Sequence, residues 1–375
     1  MRIFSAAAKN KVVPPIGSSI IIRQGEIELK STKNLFALVF MLMFTIVLAA
    51  CGETAKPAVT QPQEAAKSAA PTPAAAPAAA PEAKKAEKMY IPVISKGFQH
   101  QFWQAVKIGA EKAAKELDVT ITFEGPETEA QVDKQIEMLT AALGKKPSAI
   151  AFAALDSKAA VPLLEKAKAG KIPVVGFDSG VDSDIPVATA ATNNIAAASL
   201  AADKMAGLIN NEGEVAVVVH DQTSRTGIDR REGFVNQIKN KYPNIKIVDI
   251  QYGGGDQLKS TDLTKAIIQA HPNIKGIFGS NEGSAIGVLN GVTELKKDKI
   301  IVIGYDSGKQ QIDAIKSGKM AGAITQNPIG IGYESVKAAV KAVKGEKVEK
   351  NIDTGFFWYD KTNVDSPDIK AVLYD

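Results

Sequence analysis

The sequence predicts an α/β fold of two doubly wound lobes, and three observations carry that prediction. From Met89 onward, short apolar runs rich in Val and Ile alternate with longer segments of helical period. The runs are apolar on both faces, as strands covered by helices on both sides must be. They are also too numerous for one compact sheet, so a second sheet with its own helix layers is expected.

In chain order, strands are expected at 90–94, 119–123, 149–153, 173–177, 215–219, 246–251, 276–279, 299–305 and 322–325. Helices are expected between them at 102–117, 129–143, 159–168, 195–209, 227–239, 258–270, 283–289, 309–317 and 330–343. In the first of these helices Val106, Ala110, Ala113 and Ala114 fall on one face. The others follow the same three-and-four spacing.

The first 88 residues read differently. Lys30 and Lys33 precede an apolar run from Leu35 to Ala50, broken by Thr45, which ends in Leu48-Ala49-Ala50-Cys51. A charged start, an apolar centre and small residues at the end make a secretory signal. The run is shorter than the ~20 residues of a membrane span. Residues 1–28 add nothing to a signal, so translation is expected to start nearer Leu29. From Gly52 to about Lys88 the composition turns to Ala and Pro, as in Ala74-Ala75-Ala76-Pro77-Ala78-Ala79-Ala80-Pro81. Such a segment buries too little apolar surface to offset its ordering entropy and reads as a tether.

Charge narrows the function. Six of the 45 Lys/Arg and two of the 41 Asp/Glu lie in residues 1–50, which leaves 39 of each in the remainder. A formally neutral body argues against nucleic-acid binding. The single cysteine leaves none for disulfides or a zinc cluster. The three histidines, His100, His220 and His271, lack zinc spacing. There is no nucleotide loop, because Gly253-Gly254-Gly255 has neither the spacing nor the lysine of one. No cofactor or metal is expected, and with no nucleophile–base constellation the chain is not expected to be an enzyme.

Ligands of open α/β sheets bind beyond the carboxyl ends of the strands. There the chain places Ser95, then Phe98-Gln99-His100-Gln101-Phe102-Trp103, then Asp156, Asp178-Ser179, His220-Asp221 with Arg230, Ser280-Asn281, Tyr305-Asp306, and Gln326-Asn327. Carboxylates, amides and a guanidinium exchange paired hydrogen bonds with vicinal hydroxyls, and aromatic rings cover the apolar faces of a sugar. Each residue has a plainer alternative. Asp156 fits a helix cap, one of Phe102 and Trp103 would ordinarily face the core, Arg230 could pair with Asp229 or Glu232, and His220 could be structural.

Taken together, these segments resemble the type I periplasmic sugar-binding proteins, nearest their ribose-binding branch. The resemblance rests on Ile94-Ser95-Lys96-Gly97-Phe98 with Phe102 to Ala110, Gly176-Phe177-Asp178-Ser179, Asp229 to Phe234, Gly279-Ser280-Asn281-Glu282, Ile303 to Ser307 and Ile324 to Pro328. It spans about Met89 to Phe357 and implies two Rossmann-like lobes joined by a three-crossover hinge. The lobes would be 89–192 with 326–353, and 193–325 with 354–375.

The family implies Phe102 and Trp103 stacking on a sugar, a monosaccharide, with Ser95, His100 and Asp178 bonding it from the first lobe. Arg230, Asn281 and Asp306, with Tyr305 beside it, would do so from the second, and Gln326 from the hinge. It also implies an ABC importer permease as partner and a monomeric receptor. Leu48–Cys51 resembles a lipobox, which implies a lipidated Cys51 and anchorage to the cell membrane. Two departures stand out. Ser179 replaces the family's arginine, and Gly253–Gly255 replaces a stacking aromatic, so a roomier pocket is expected.

Other readings of the same core are a sensory input to a chemoreceptor or kinase, a binder of furanosyl signals, and a transcription factor. The last needs an N-terminal helix-turn-helix and a basic surface, in place of a signal and a neutral body.

Overall fold

The computed structural model describes residues 88–374. The expectations for the signal, Cys51 and nearly all of the tether lie outside the described residues. Among the described residues, no helix is long and apolar enough to cross a membrane.

The first lobe is built on a six-stranded, all-parallel sheet. Its strands are β1 (Tyr90–Ile94), β2 (Thr120–Glu124), β3 (Ile150–Phe152), β4 (Val174–Phe177), β5 (Ala188–Ala191) and β11 (Asn351–Asp353), in the order β11-β5-β4-β3-β1-β2. Helices α1 (Gln101–Glu116), α2 (Val132–Gly144), α3 (Val161–Ala169) and α9 (Pro328–Val343) cover it. Pro92 has no N–H to give. It sits where β1 is registered to β2 alone, and the ladder with β3 begins one residue later at Val93.

The second lobe repeats the plan. Its sheet runs β12-β10-β9-β8-β6-β7, from β6 (Gly213–Val219), β7 (Ile245–Tyr252), β8 (Ile274–Gly279), β9 (Ile301–Tyr305), β10 (Gly322–Gln326) and β12 (Phe356–Tyr359). β12 alone is antiparallel, running Ala323↔Tyr359 to Gln326↔Phe356 against β10. Its helices are α4 (Asn194–Leu208), α5 (Arg225–Lys241), α6 (Gln257–Ala270), α7 (Glu282–Glu294), α8 (Lys309–Lys316) and the short α10 (Pro367–Lys370). The chain crosses between sheets three times, after β5, after β10 and after β11.

Each sheet is sandwiched by apolar clusters. Val93, Phe102, Trp103, Val106 and Phe177 form one on the first lobe, and Val217, Phe234, Phe278, Ile303 and Tyr305 form one on the second. Two glycines hold α9, the helix after a crossing, to α1. A Cβ at Gly109 would lie 1.9 Å from the Ile329 carbonyl oxygen, and one at Gly332 would lie 1.9 Å from that of Val106. The helix backbones touch, and no larger residue fits.

The structure adds β5, β11 and β12 to the predicted strands. It also starts α2 at Val132 rather than at Glu129, with a consequence for the site.

Candidate functional site

The carboxyl ends of the two sheets face each other, and between them lies a narrow cavity. From the first lobe Lys96, His100, Phe102, Trp103, Glu129 and Asp178 line it. From the second come His220, Thr226, Arg230, Asn281 and Asp306, and Gln326 comes from the crossing after β10.

Two carboxylates oppose each other by a repeat in the chain. Gly176-Phe177-Asp178-Ser179 ends β4, and Gly304-Tyr305-Asp306-Ser307 ends β9, the strand at the matching place in the other sheet. Both aspartates turn out of their strands in the left-handed region, with φ of 54° and 78°, a conformation Asp adopts more readily than most residues. Each gives its N–H to the neighbouring strand, Asp178 to Ala190 O at 2.9 Å and Asp306 to Ile324 O at 2.6 Å.

Their partners differ. Asp306 accepts from the Glu282 N–H at 2.9 Å and from Gln326 Nε2 at 2.7 Å. The buried Asp178 carboxylate accepts from no side chain or amide among the described residues. Burial pushes its pKa up to about 6; Glu129 and Asp306 add to this, while Lys96 and Arg230 oppose it.

Arg230 is held on three sides. Its Nε donates to Asn194 Oδ1 at 2.7 Å, one terminal nitrogen donates to Ser280 O at 3.0 Å, and the guanidinium lies 3.8 Å over the Tyr305 ring. Neither Asp229 nor Glu232 pairs with it: Arg225 takes Asp229, and Arg231 takes Glu232. Asn281 caps α7 by accepting from the Ser284 N–H at 2.8 Å. Its Nδ2 is thereby turned toward the Gly255 loop.

A second network crosses the cleft. Lys96 Nζ donates to Thr226 Oγ1 at 3.2 Å and lies 3.8 Å from both Glu129 and Asp221. Burial alone would raise the Glu129 carboxyl. Lys96, the two histidines and the Trp103 indole N–H, which donates to it at 2.8 Å, hold it down to about 2 instead. His220 bonds Ser280 Oγ at 2.9 Å and Thr226 Oγ1 at 3.0 Å, and burial pushes its pKa down to about 3. Burial lowers His100 too. Both imidazoles are therefore neutral near pH 7. Neither His100 nitrogen has a partner, nor does Gln326 Oε1, although all three atoms are buried. Such orphans are what a bound polyol would satisfy.

Two residues expected at the site stand behind it. The Ser95 hydroxyl turns away, donating to Gly97 O and Glu124 O, and fastens the turn that carries Lys96. Tyr305 is fully buried beneath Arg230, with its hydroxyl on Asn194 Oδ1 at 2.9 Å. Asp156 caps the turn before α3 through the Lys158 and Ala159 N–H groups.

Lys96, Glu129 and Thr226 were not expected. Lys96 lay within a motif but reads as an ordinary surface charge. Glu129 reads as the first turn of a helix, whereas the loop before α2 carries it into the cleft. The glycine loop after β7 does not open the pocket. Gln99 Nε2 donates to Gly255 O at 3.3 Å, and the loop packs so closely on α7 that a Cβ at Gly283 would lie 1.9 Å from that oxygen.

Comparison with known proteins agrees with this architecture. The periplasmic binding protein domain model matches residues 91–347. The D-allose-binding periplasmic protein of Escherichia coli K12 is 30% identical over 265 residues, covering 68% of this chain and 85% of that protein. A carbohydrate transporter solute binding protein from Agrobacterium radiobacter, solved with D-arabinose, is 35% identical with a TM-score of 0.75, covering 77% of this chain and all of its own. An ABC transporter solute binding protein from Agrobacterium vitis with bound D-fucose is also 35% identical, with a TM-score of 0.74, covering 76% of this chain and all of its own. The two facing sheets, the three crossings and a match over most of the described residues lead to one conclusion: this chain belongs to the periplasmic binding protein domain family.

Proposed function

We propose that this protein is the solute-binding subunit of an ABC-type sugar importer, a monomeric receptor that captures one monosaccharide between its lobes and presents it to the permease. One observation carries the reading. A buried cavity draws hydroxyl-binding groups from both lobes (Asp178 from one; Arg230, Asn281 and Asp306 from the other) around the rings of Phe102 and Trp103. The groups are set for binding: Arg230 and Asp306 are fixed by neighbours, and Asp178 is aimed at the cavity. The relatives' sugars, D-allose, D-arabinose and D-fucose, are the first to try. The lipobox-like Leu48–Cys51 supports anchorage through a lipidated Cys51, on the outer side of the cell membrane.

Titration calorimetry and melting curves with these three sugars, D-ribose and a disaccharide test the reading. A monosaccharide at 100 times its Kd stabilises by about 2.7 kcal/mol, and Arg230→Ala and Asp306→Ala remove that gain. Absence of binding by every monosaccharide sinks the proposal. Cys51→Ala should release the protein from membranes; retention there would discard the anchor.

A further inference from the structure

We infer that Gln101 and Glu282 form a clasp across the cleft, in which each lobe supplies the N-terminal cap that a helix of the other lobe lacks. The inference rests on the reading above, in which the lobes close on a sugar.

The first N–H groups of a helix have no partner inside it and need one when buried. Helix α1 lacks a cap of its own, because its N-cap residue His100 makes no side-chain bond to it. Glu282, on the other lobe at the start of α7, provides one. Its Oε1 accepts from the Gln101 N–H at 3.2 Å, and its Oε2 accepts from the Phe102 N–H at 3.3 Å. The reverse holds for α8. Its N-cap residue is Gly308, which has no side chain to offer. The Lys309 N–H donates instead to Gln101 Oε1 of the first lobe, at 2.8 Å.

The glycine is what permits the arrangement. A Cβ at Gly308 would lie 2.9 Å from the Glu282 carboxyl and 3.0 Å from Gln101 Oε1, so it would crowd both side chains out of these positions.

The clasp touches both halves of the binding site without lining the cavity. Phe102, whose N–H Glu282 holds, is a cavity ring, and the Glu282 N–H is a donor to Asp306. Gln101 and Glu282 are therefore positioning residues. Closing the lobes completes two helix ends, and opening them exposes both. Their contribution belongs to the closed state and not to the fold of either lobe.

A double spin-label experiment reads this directly. In a Cys51→Ser background, Lys134→Cys on α2 and Lys259→Cys on α6 mark the two lobes. The distance distribution is recorded with and without D-arabinose, D-fucose and D-allose. Glu282→Ala and Gln101→Ala are each expected to lower the ratio of closed to open protein about fivefold, the usual effect of losing a cap. The melting temperature of the sugar-free, open protein should stay unchanged. Glu282→Gln, which keeps one acceptor, should recover part of the closed population.

An unchanged distribution in both alanine variants overturns the clasp. So does an equal loss of melting temperature in open and closed protein, which would make the two side chains ordinary supports within a lobe. Should none of the three sugars shift the parent distribution, these three are excluded as closing ligands. The clasp is then judged on the sugar-free closed fraction, where the same fall is expected.

Discussion

Asp178 and Asp306 have the same backbone setting and opposite electrostatic ones. Asp306 is held by two protein donors, whereas Asp178 is left to the cavity. A carboxyl raised to about 6 by burial between the lobes favours the closed protein while it is protonated. That contribution is complete below the ordinary value of 3.8 and is lost as pH rises through about 6. Asp178→Asn should therefore flatten part of the fall in the sugar-free closed fraction between pH 4 and 7, read from the spin-label distance distribution. The same variant should weaken sugar binding by tenfold or more, since hydrogen bonds to a charged group contribute about 1.5–3 kcal/mol. Parallel closed-fraction profiles would show that Asp178 finds a partner in the sugar-free closed protein. At this scale the cavity lining was readable where a polar residue ended an apolar run, as with Asp178, Asn281, Asp306 and Gln326, although Ser95 ends one and faces away. It was unreadable where one step along the strand reverses the side chain, which separates Tyr305 from Asp306. It was equally unreadable where helical spacing runs past the true helix start, which hid Glu129.

At the level of elements, the long runs announced themselves because burial on both faces leaves no polar position. The strands that escaped lack that signature. β5 is Ala-Thr-Ala-Ala, β11 is Asn-Ile-Asp with both polar ends exposed, and β12 is four aromatic residues whose pairing depends on a partner distant in sequence. β12 also needs Gly322 opposite, where a Cβ would lie 2.2 Å from the Trp358 ring. The α1–α9 contact carries the element-scale prediction. Gly332→Ala forces a methyl toward the Val106 carbonyl, and overpacking of this kind costs about 1–3 kcal/mol. The loss should appear in chemical denaturation with sugar affinity little changed, because Gly332 lies away from the cavity. A stability equal to the parent's would mean that the two helices separate freely.

Across the whole molecule, the end of the chain ties the back of the site together. Tyr374 is buried with its ring against Phe102 of the first lobe, centroids 6.2 Å apart, while its hydroxyl accepts from the Ser307 N–H of the second at 3.1 Å. Two residues earlier, Val372 O accepts from Thr325 Oγ1 on β10 at 3.2 Å. The tail thus supports a cavity ring on one side and the residue after Asp306 on the other. Two substitutions separate these roles. Tyr374→Phe keeps the ring and leaves the Ser307 N–H buried without an acceptor, at a cost of about 1–3 kcal/mol. Tyr374→Ala also empties the space beside Phe102, and aromatic truncations of this kind cost about 3–5 kcal/mol. If the tail serves both lobes, the alanine variant should lose sugar affinity as well as stability, since Phe102 loses its backing. The phenylalanine variant should lose mainly stability. Equal affinities in the parent and the alanine variant would show that α1 alone holds Phe102 in place and that the tail is no part of the site.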